Sequence, residues 1–252
     1  MFSRDVAMKL SAELVPVEEI KPAQRRVMFA LMEQYYAGMK RQSFEADLDE
    51  KRWVILLGDR DRQRIHGFST QMILDVEVAG RPIHALFSGD TIVERSCWGQ
   101  GLLAQAWGRL ALELIEKYPI GSLYWFLISK GYKTYRYLPV FFREFYPRFD
   151  MTTPPWAAAL IDAVARRKYP QLYDADCGVI RPEPDGCRLR NGVAEITAQR
   201  LRDPHIRFFA QRNPRHGDGE ELCCIAPLTG ENFTPAAARP LRDTAPVWSS
   251  AG

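Results

Sequence analysis

Between Ile83 and Ile128 an apolar run, a loop holding two glycines, a long amphipathic stretch and a second apolar run follow one another, and this order leaves few folds open. Ile83–Val93 reads as a strand, and Ser96–Gly101 as a loop. From about Leu102 to Tyr118, the residues Leu103, Ala106, Trp107, Leu110, Leu114 and Ile115 share one broad helical face, and Pro119 and Gly121 end the helix. Leu123–Ile128 is apolar throughout. Strand, helix and strand in that succession predict a βαβ unit with two parallel strands.

Upstream, Val27, Leu31 and Tyr35 recur at helical spacing, with Met28 and Met32 widening the stripe, so a helix is predicted near Pro22–Tyr36. Ser43–Glu50 reads as a polar, acidic connection. Trp53–Leu57 is a buried strand closed by Gly58-Asp59, and Ile65–Leu74 is a second that Val76–Val78 is suited to continue. Ala79-Gly80-Arg81-Pro82 carries turn chemistry and reverses the chain into Ile83–Val93. Antiparallel strands followed by a βαβ unit predict an α/β class with a mixed, mostly antiparallel central sheet and helices on both faces.

Downstream, Tyr132–Tyr146 is an aromatic-rich helical stretch interrupted near Pro139. Trp156–Lys168 reads as a helix, Gly178–Val193 as short strands, Ile206–Gln211 as part of a helix and Leu222–Ala226 as a strand. The expected division is a core over 1–150, an extension over 151–233 packed on it and able to complete the sheet, and a loose tail rich in Ala, Pro, Ser and Thr over 234–252.

A formal charge of +3, from 34 basic against 31 acidic residues, does not call for nucleic acid. No signal-peptide core and no membrane-length apolar run interrupts the sequence, so a cytoplasmic protein with no membrane span is expected. Five irregularly spaced cysteines and four histidines form no zinc pattern, and no metal is expected.

The chemistry lies in Val93-Glu94-Arg95-Ser96-Cys97-Trp98-Gly99-Gln100-Gly101-Leu102-Leu103-Ala104. The first N–H groups of a helix lack internal partners and, with the helix dipole, attract anions. Glycines at 99 and 101 remove the Cβ atoms that would hold a phosphate away. A tight strand-to-helix turn also needs glycine for its own geometry, so the loop alone leaves both readings open. It is neither a Walker loop nor a complete dinucleotide fingerprint.

This segment resembles the phosphate loop of the GNAT acyltransferase superfamily, Gln/Arg-x-x-Gly-x-Gly/Ala between strand and helix, and the likeness covers roughly residues 15–150. Trp98 stands at the Gln/Arg position, Gly99 at the common first glycine and Gly101 at the near-invariant one. Trp98 and Leu103 depart from the usual residues, which marks a divergent branch. Phe142–Phe149 resembles the family's late helix, without its usual Gly and Asn. The resemblance implies a GNAT-like fold and transfer of an acetyl or longer acyl group from acyl-CoA to an amine-bearing small-molecule acceptor. Donor binding would fall to Trp98, Gly99, Gln100, Gly101, Leu102 and Leu103, with backbone groups of Val93 and Arg95 pairing with the pantetheine arm. Alternatives are a donor carried on an acyl carrier protein, received by Arg143, Arg148 and Arg166–Lys168, and a non-catalytic GNAT-fold binding module.

Family members usually draw a base from the strand before the loop and an acid from a tyrosine of the late helix. The strand offers His84, Ser88, Asp90 and Glu94, which alternation puts on one face unless a bulge intervenes. Asp90, mid-strand among apolar residues, is the preferred base because desolvation raises a carboxyl pKa. Tyr146 is the preferred acid, with Tyr135 its rival. Cys97 lacks a histidine within the motif to make it a nucleophile.

Overall fold

The structure is a computed structural model that describes residues 10–59, 64–183 and 186–237. In chain order its elements are β1 (Leu10–Pro16), α1 (Pro22–Tyr35), β2 (Tyr36–Ala37), α2 (Arg41–Asp49), β3 (Trp53–Asp59), β4 (Ile65–Val78), β5 (Arg81–Val93) and α3 (Leu102–Lys117). There follow β6 (Leu123–Ser129), α4 (Tyr132–Tyr135), α5 (Tyr137–Phe141), α6 (Pro155–Lys168), β7 (Tyr173–Asp174), β8 (Val179–Ile180), β9 (Arg188–Leu189), α7 (Pro204–Arg212) and β10 (Glu221–Pro227).

Eight strands form one sheet in the order β1-β3-β4-β5-β6-β10-β8-β7, and β2 pairs with β9 in a ribbon. The β5–β6 pair is parallel and the others are antiparallel. The predicted βαβ unit therefore stands at the centre of the sheet, with α3 as its crossover. One face carries α3, whose Ala106, Trp107, Leu110 and Leu114 bury against Trp53, Ile55, Leu86 and Trp125. On the other face α1 and α2 cover Val54, Leu56 and Phe68, while α6 covers Phe87, Phe126 and Ile225. This is the mixed, mostly antiparallel sheet with helices on both faces that the pattern predicts.

Local expectations fail where packing overrides composition. Of the connection expected over Ser43–Glu50, all but Glu50 lies in helix α2, because Phe44 and Leu48, one turn apart, bury beneath a polar outer face. β1 had no separate signal in the sequence; it pairs along the full length of β3 and closes that edge. The helix expected over Tyr132–Tyr146 ends at Phe141. From Phe142 the chain is extended, with bridges from Phe142 to Phe233 and from Tyr146 to Ile225, so the late helix expected over Phe142–Phe149 is absent. A residue preceding proline disfavours helical backbone, and Tyr146 precedes Pro147.

After Asp150 the chain re-enters the sheet, with β10 beside β6. Of the tail expected over 234–252, residues 238–252 lie outside the described residues, and Ala237 is buried in the core.

Candidate active site

The centre of the sheet is split. The parallel β5–β6 register runs from His84↔Leu123 to Ser88↔Leu127 and stops there, although β5 continues to Val93 and β6 to Ser129. Thr91 and Ile92 pair with β4, and among the described residues β5 has no partner across the gap from Asp90 to Ile92. A cleft of about 1220 Å³ opens into this gap, lined by Gly99–Gln105, by Ser88–Val93, by residues of α2, α5 and α6, and by Arg181, Pro182, Glu183, Gly186 and Cys187.

The gap begins at a β-bulge. Ser88 pairs with Gln71 and Thr91 with Ser69, so Gly89 and Asp90 together face Thr70 alone. A side chain at Gly89 has no room: a Cβ would lie 2.6 Å from Thr70 Oγ1 and 2.9 Å from Lys51 Cε. A buried polar chain braces the spot. Trp107 Nε1 and Trp125 Nε1 donate to Ser88 Oγ at 3.1 and 2.9 Å, and Ser88 donates to Gln71 Oε1 at 2.7 Å. Gln71 Nε2 donates to Ser69 Oγ, which bonds Thr91 Oγ1, both at 2.7 Å.

The bulge breaks the parity that placed His84, Ser88, Asp90 and Glu94 on one face. Ser88 points to the α3 side, whereas Gly89 borders Lys51 of the α2 side and Ile92 packs with α1 and α2. His84 bonds Asp75 at 2.6 Å and lies against Tyr118, off the cleft. Glu94 bonds His66 Nδ1 at 2.8 Å and also lies off the cleft. Ser88 lines the cleft but uses its proton and accepts two indoles, which leaves it no base chemistry.

Asp90 is left: half-buried, in the cleft, with no hydrogen bond or ion pair among the described residues. Burial, and then repulsion from Asp47, raise its pKa to about 6 against the opposing pull of Lys51 and Lys130. Lys51, its side chain fully enclosed, pairs with Asp47 at 2.6 Å, and Lys168 reaches Asp47 at 3.2 Å. Lys51 is itself pushed down by burial, while these two ammonium groups hold Asp47 low despite its burial. Asp47, Lys51, Lys130 and Glu221 act on the Asp90 carboxyl, and the sequence assigned none of them a role. They come from α2 and the turn after it, from the residue after β6 and from the start of β10, and no local pattern joins them.

Tyr146 is not brought to Asp90. It stands across β10 from β6, exchanging backbone hydrogen bonds with Ile225 at 2.8 and 2.7 Å, its ring edge-on to Trp156 and its hydroxyl donating to Glu144. The sheet order separates it from β5 by two strands, and it does not line the cleft. Its rival Tyr135 is buried with its hydroxyl on Pro147 O. The tyrosines that do line the cleft are Tyr35, Tyr36, Tyr137 and Tyr169.

At the mouth, Gly99 and Gly101 take left-handed backbone, φ +86° and +70°, and no atom lies within 3.9 Å of a Cβ built at either. Gln105 N–H makes the first helical bond, to Gly101 O, and among the described residues nothing accepts from the N–H groups of Leu102, Leu103 or Ala104. Two other groups expected to meet the pantetheine arm are occupied: Trp98 Nε1 donates to Val93 O at 2.8 Å, and Arg95 N–H donates to Tyr35 Oη at 3.0 Å. Cys97 is buried and does have a histidine nearby, supplied by β4. One ligand atom each from His66, Glu94 and Cys97 lie within 4.8 Å of one another. His66 Nδ1 is already bonded to Glu94, and Arg64 also reaches that carboxylate.

A mixed sheet split at its centre, with a helix starting at the mouth of the split, is the arrangement that the phosphate-loop resemblance led one to expect. No family model and no curated protein matches the sequence. Among solved structures it is similar to the GNAT family N-acetyltransferase YhbS from Escherichia coli in complex with CoA, at 17% identity and TM-score 0.36 over 51% of this chain and 67% of that one. It is also similar to a probable N-acyltransferase from Enterococcus faecalis, at 14% and 0.39 over 54% of this chain and 33% of that one. A third is a GCN5-related N-acetyltransferase from Kribbella flavida, at 13% and 0.39 over 55% and 35%. Likenesses this low say nothing about activity or ligand, and the functional reading stands on the geometry above. No helix among the described residues is long and apolar enough to cross a membrane.

Proposed function

We propose that this protein is an acyltransferase that moves an acetyl or longer acyl group from acyl-CoA directly to an amine-bearing small molecule. The observation that carries this reading is the split between β5 and β6. It joins, in one cleft, unpartnered helix N–H groups at the mouth and an unpartnered carboxylate inside.

The residues fit the donor. N–H groups from Gly99 to Ala104, with no Cβ in the way, suit a diphosphate. The strand backbone from Asp90 to Ile92, lacking a partner across the gap, suits an amide-bearing arm laid in as an added strand. A bound thioester supplies an activated acyl carbon and a thiolate leaving group. Asp90, ionised above about pH 6, takes the proton from the attacking amine.

Titration calorimetry with a series of CoA thioesters, paired with a mass-spectrometric search for acylated amines, tests the reading. Binding with transfer supports it; absence of heat and of any thermal shift with all thioesters sinks it. In that event the indole of Trp98 on Val93 O marks a closed arm site and a non-catalytic binding module. Transfer from an acylated carrier protein, with no turnover of free acyl-CoA, identifies the carrier as donor.

A further inference from the structure

Trp98 is a large aromatic held in water: 47% exposed, beside the helix N-terminus, and fixed by its own hydrogen bond to Val93 O. Two cations attend it. Lys133 Nζ, from α4, lies 4.4 Å from its ring centroid and the Arg95 guanidinium 5.8 Å. Lys133 is tethered by a 2.6 Å bond to Val193 O, and among the described residues neither cation meets a carboxylate. Nearby basic groups are neutralised, Arg136 by Asp203, Lys130 by Glu221 and Lys168 by Asp47. Burial and the charges of Arg200 and Arg95 lower the Lys133 pKa, which marks a local excess of positive charge. An exposed ring flanked by unneutralised cations, next to a phosphate nest, suits a phosphorylated purine nucleotide.

On the acyl-donor reading above, we infer that Trp98, Arg95 and Lys133 form the subsite for the nucleotide end of the donor, the adenine against the indole and the ribose 3′-phosphate on the two cations. A diphosphate seated on Gly99–Ala104 leaves the nucleotide at the mouth of the cleft, where Trp98 and Lys133 stand. Phosphopantetheine borne on a carrier protein has neither purine nor 3′-phosphate and leaves all three residues idle. The subsite therefore selects free acyl-CoA.

The test is calorimetric binding of CoA, 3′-dephospho-CoA and 4′-phosphopantetheine to the full chain. CoA is expected to bind tightest and dephospho-CoA about five- to tenfold more weakly, as suits an exposed phosphate between two cations. Phosphopantetheine binds more weakly again. The gap between CoA and dephospho-CoA narrows in added salt and closes in the Lys133→Met, Arg95→Met double variant. Trp98→Ala weakens both nucleotides relative to phosphopantetheine, while Trp98→Phe retains most of the affinity. Melting curves of these surface variants report that each is folded. Equal binding of the three ligands, or a gap that survives in the double variant, overturns the subsite and leaves the donor reading standing. No binding of any of them overturns the donor reading itself.

Discussion

Among the described residues Asp90 has no hydrogen-bond or ion-pair partner, and its ionisation is set by groups from other elements: burial and Asp47 raise its pKa, while Lys51 and Lys130 oppose them. Its carboxylate form dominates above about pH 6, so the acid limb of kcat/KM is expected to rise through that value and flatten above it. Asp47→Asn removes the repulsion and shifts the limb to lower pH; a limb that stays in place dissociates Asp90 from the rate. Asp90→Asn is expected to lower kcat about 10²- to 10⁴-fold with donor affinity unchanged. Equal losses in binding and turnover instead give Asp90 a ligand-holding role. Gly101 acts by its backbone. At φ +70° an L side chain costs about 1 kcal/mol, and in Gly101→Asp a negative charge also faces the helix N–H groups. CoA binding by that variant is expected to collapse while the fold survives; a folded Gly101→Asp protein with unchanged affinity removes the phosphate assignment. Asp90 and Gly101 are legible locally, one as an isolated strand carboxylate and one as a turn glycine, and both line the cleft. Tyr146 lies off the cleft because its expected place depended on a helix that Pro147 and the pairing with β10 replace with extended chain.

At the scale of elements, the split between β5 and β6 follows from the bulge at Gly89-Asp90 and from the polar chain that anchors it. Ser88 is the last residue of β5 paired to β6, and both indoles from α3 and β6 converge on its hydroxyl. Ser88→Ala strands two buried N–H groups and the Gln71 carbonyl, for a loss of about 2–4 kcal/mol. Urea unfolding measures this, and a change under 1 kcal/mol shows that water replaces the hydroxyl. Ser88→Cys, a weaker acceptor of similar size, is expected to fall between. The βαβ unit was legible because α3 and its flanking strands carry unbroken apolar patterns. α2 was missed because Phe44 and Leu48 are few among charges, and they specify a helix only against the core formed by α1 and β4.

For the whole molecule, β10 is decisive. Drawn from beyond residue 220, it lies between β6 and β8 with Leu222, Cys224, Ile225 and Ala226 fully buried. Ending the chain after Asp150 uncovers the β6 edge and a broad apolar face on each side. Such a truncated chain is expected to aggregate without a cooperative melting transition; a sharp transition by calorimetry makes the first 150 residues an independent unit. β10 also supplies Glu221 to the surroundings of Asp90, which links the fold of the later chain to the cleft. By itself the sequence determined the central strand–loop–helix–strand, the mixed sheet and the glycine-bearing helix start, because periodicity and turn chemistry act between near neighbours. Only the tertiary structure decided which face Asp90 takes, which charges surround it and which tyrosines reach the cleft. Those depend on one bulged residue and on contacts between segments more than a hundred positions apart, such as Lys168 on Asp47, and no local pattern encodes them.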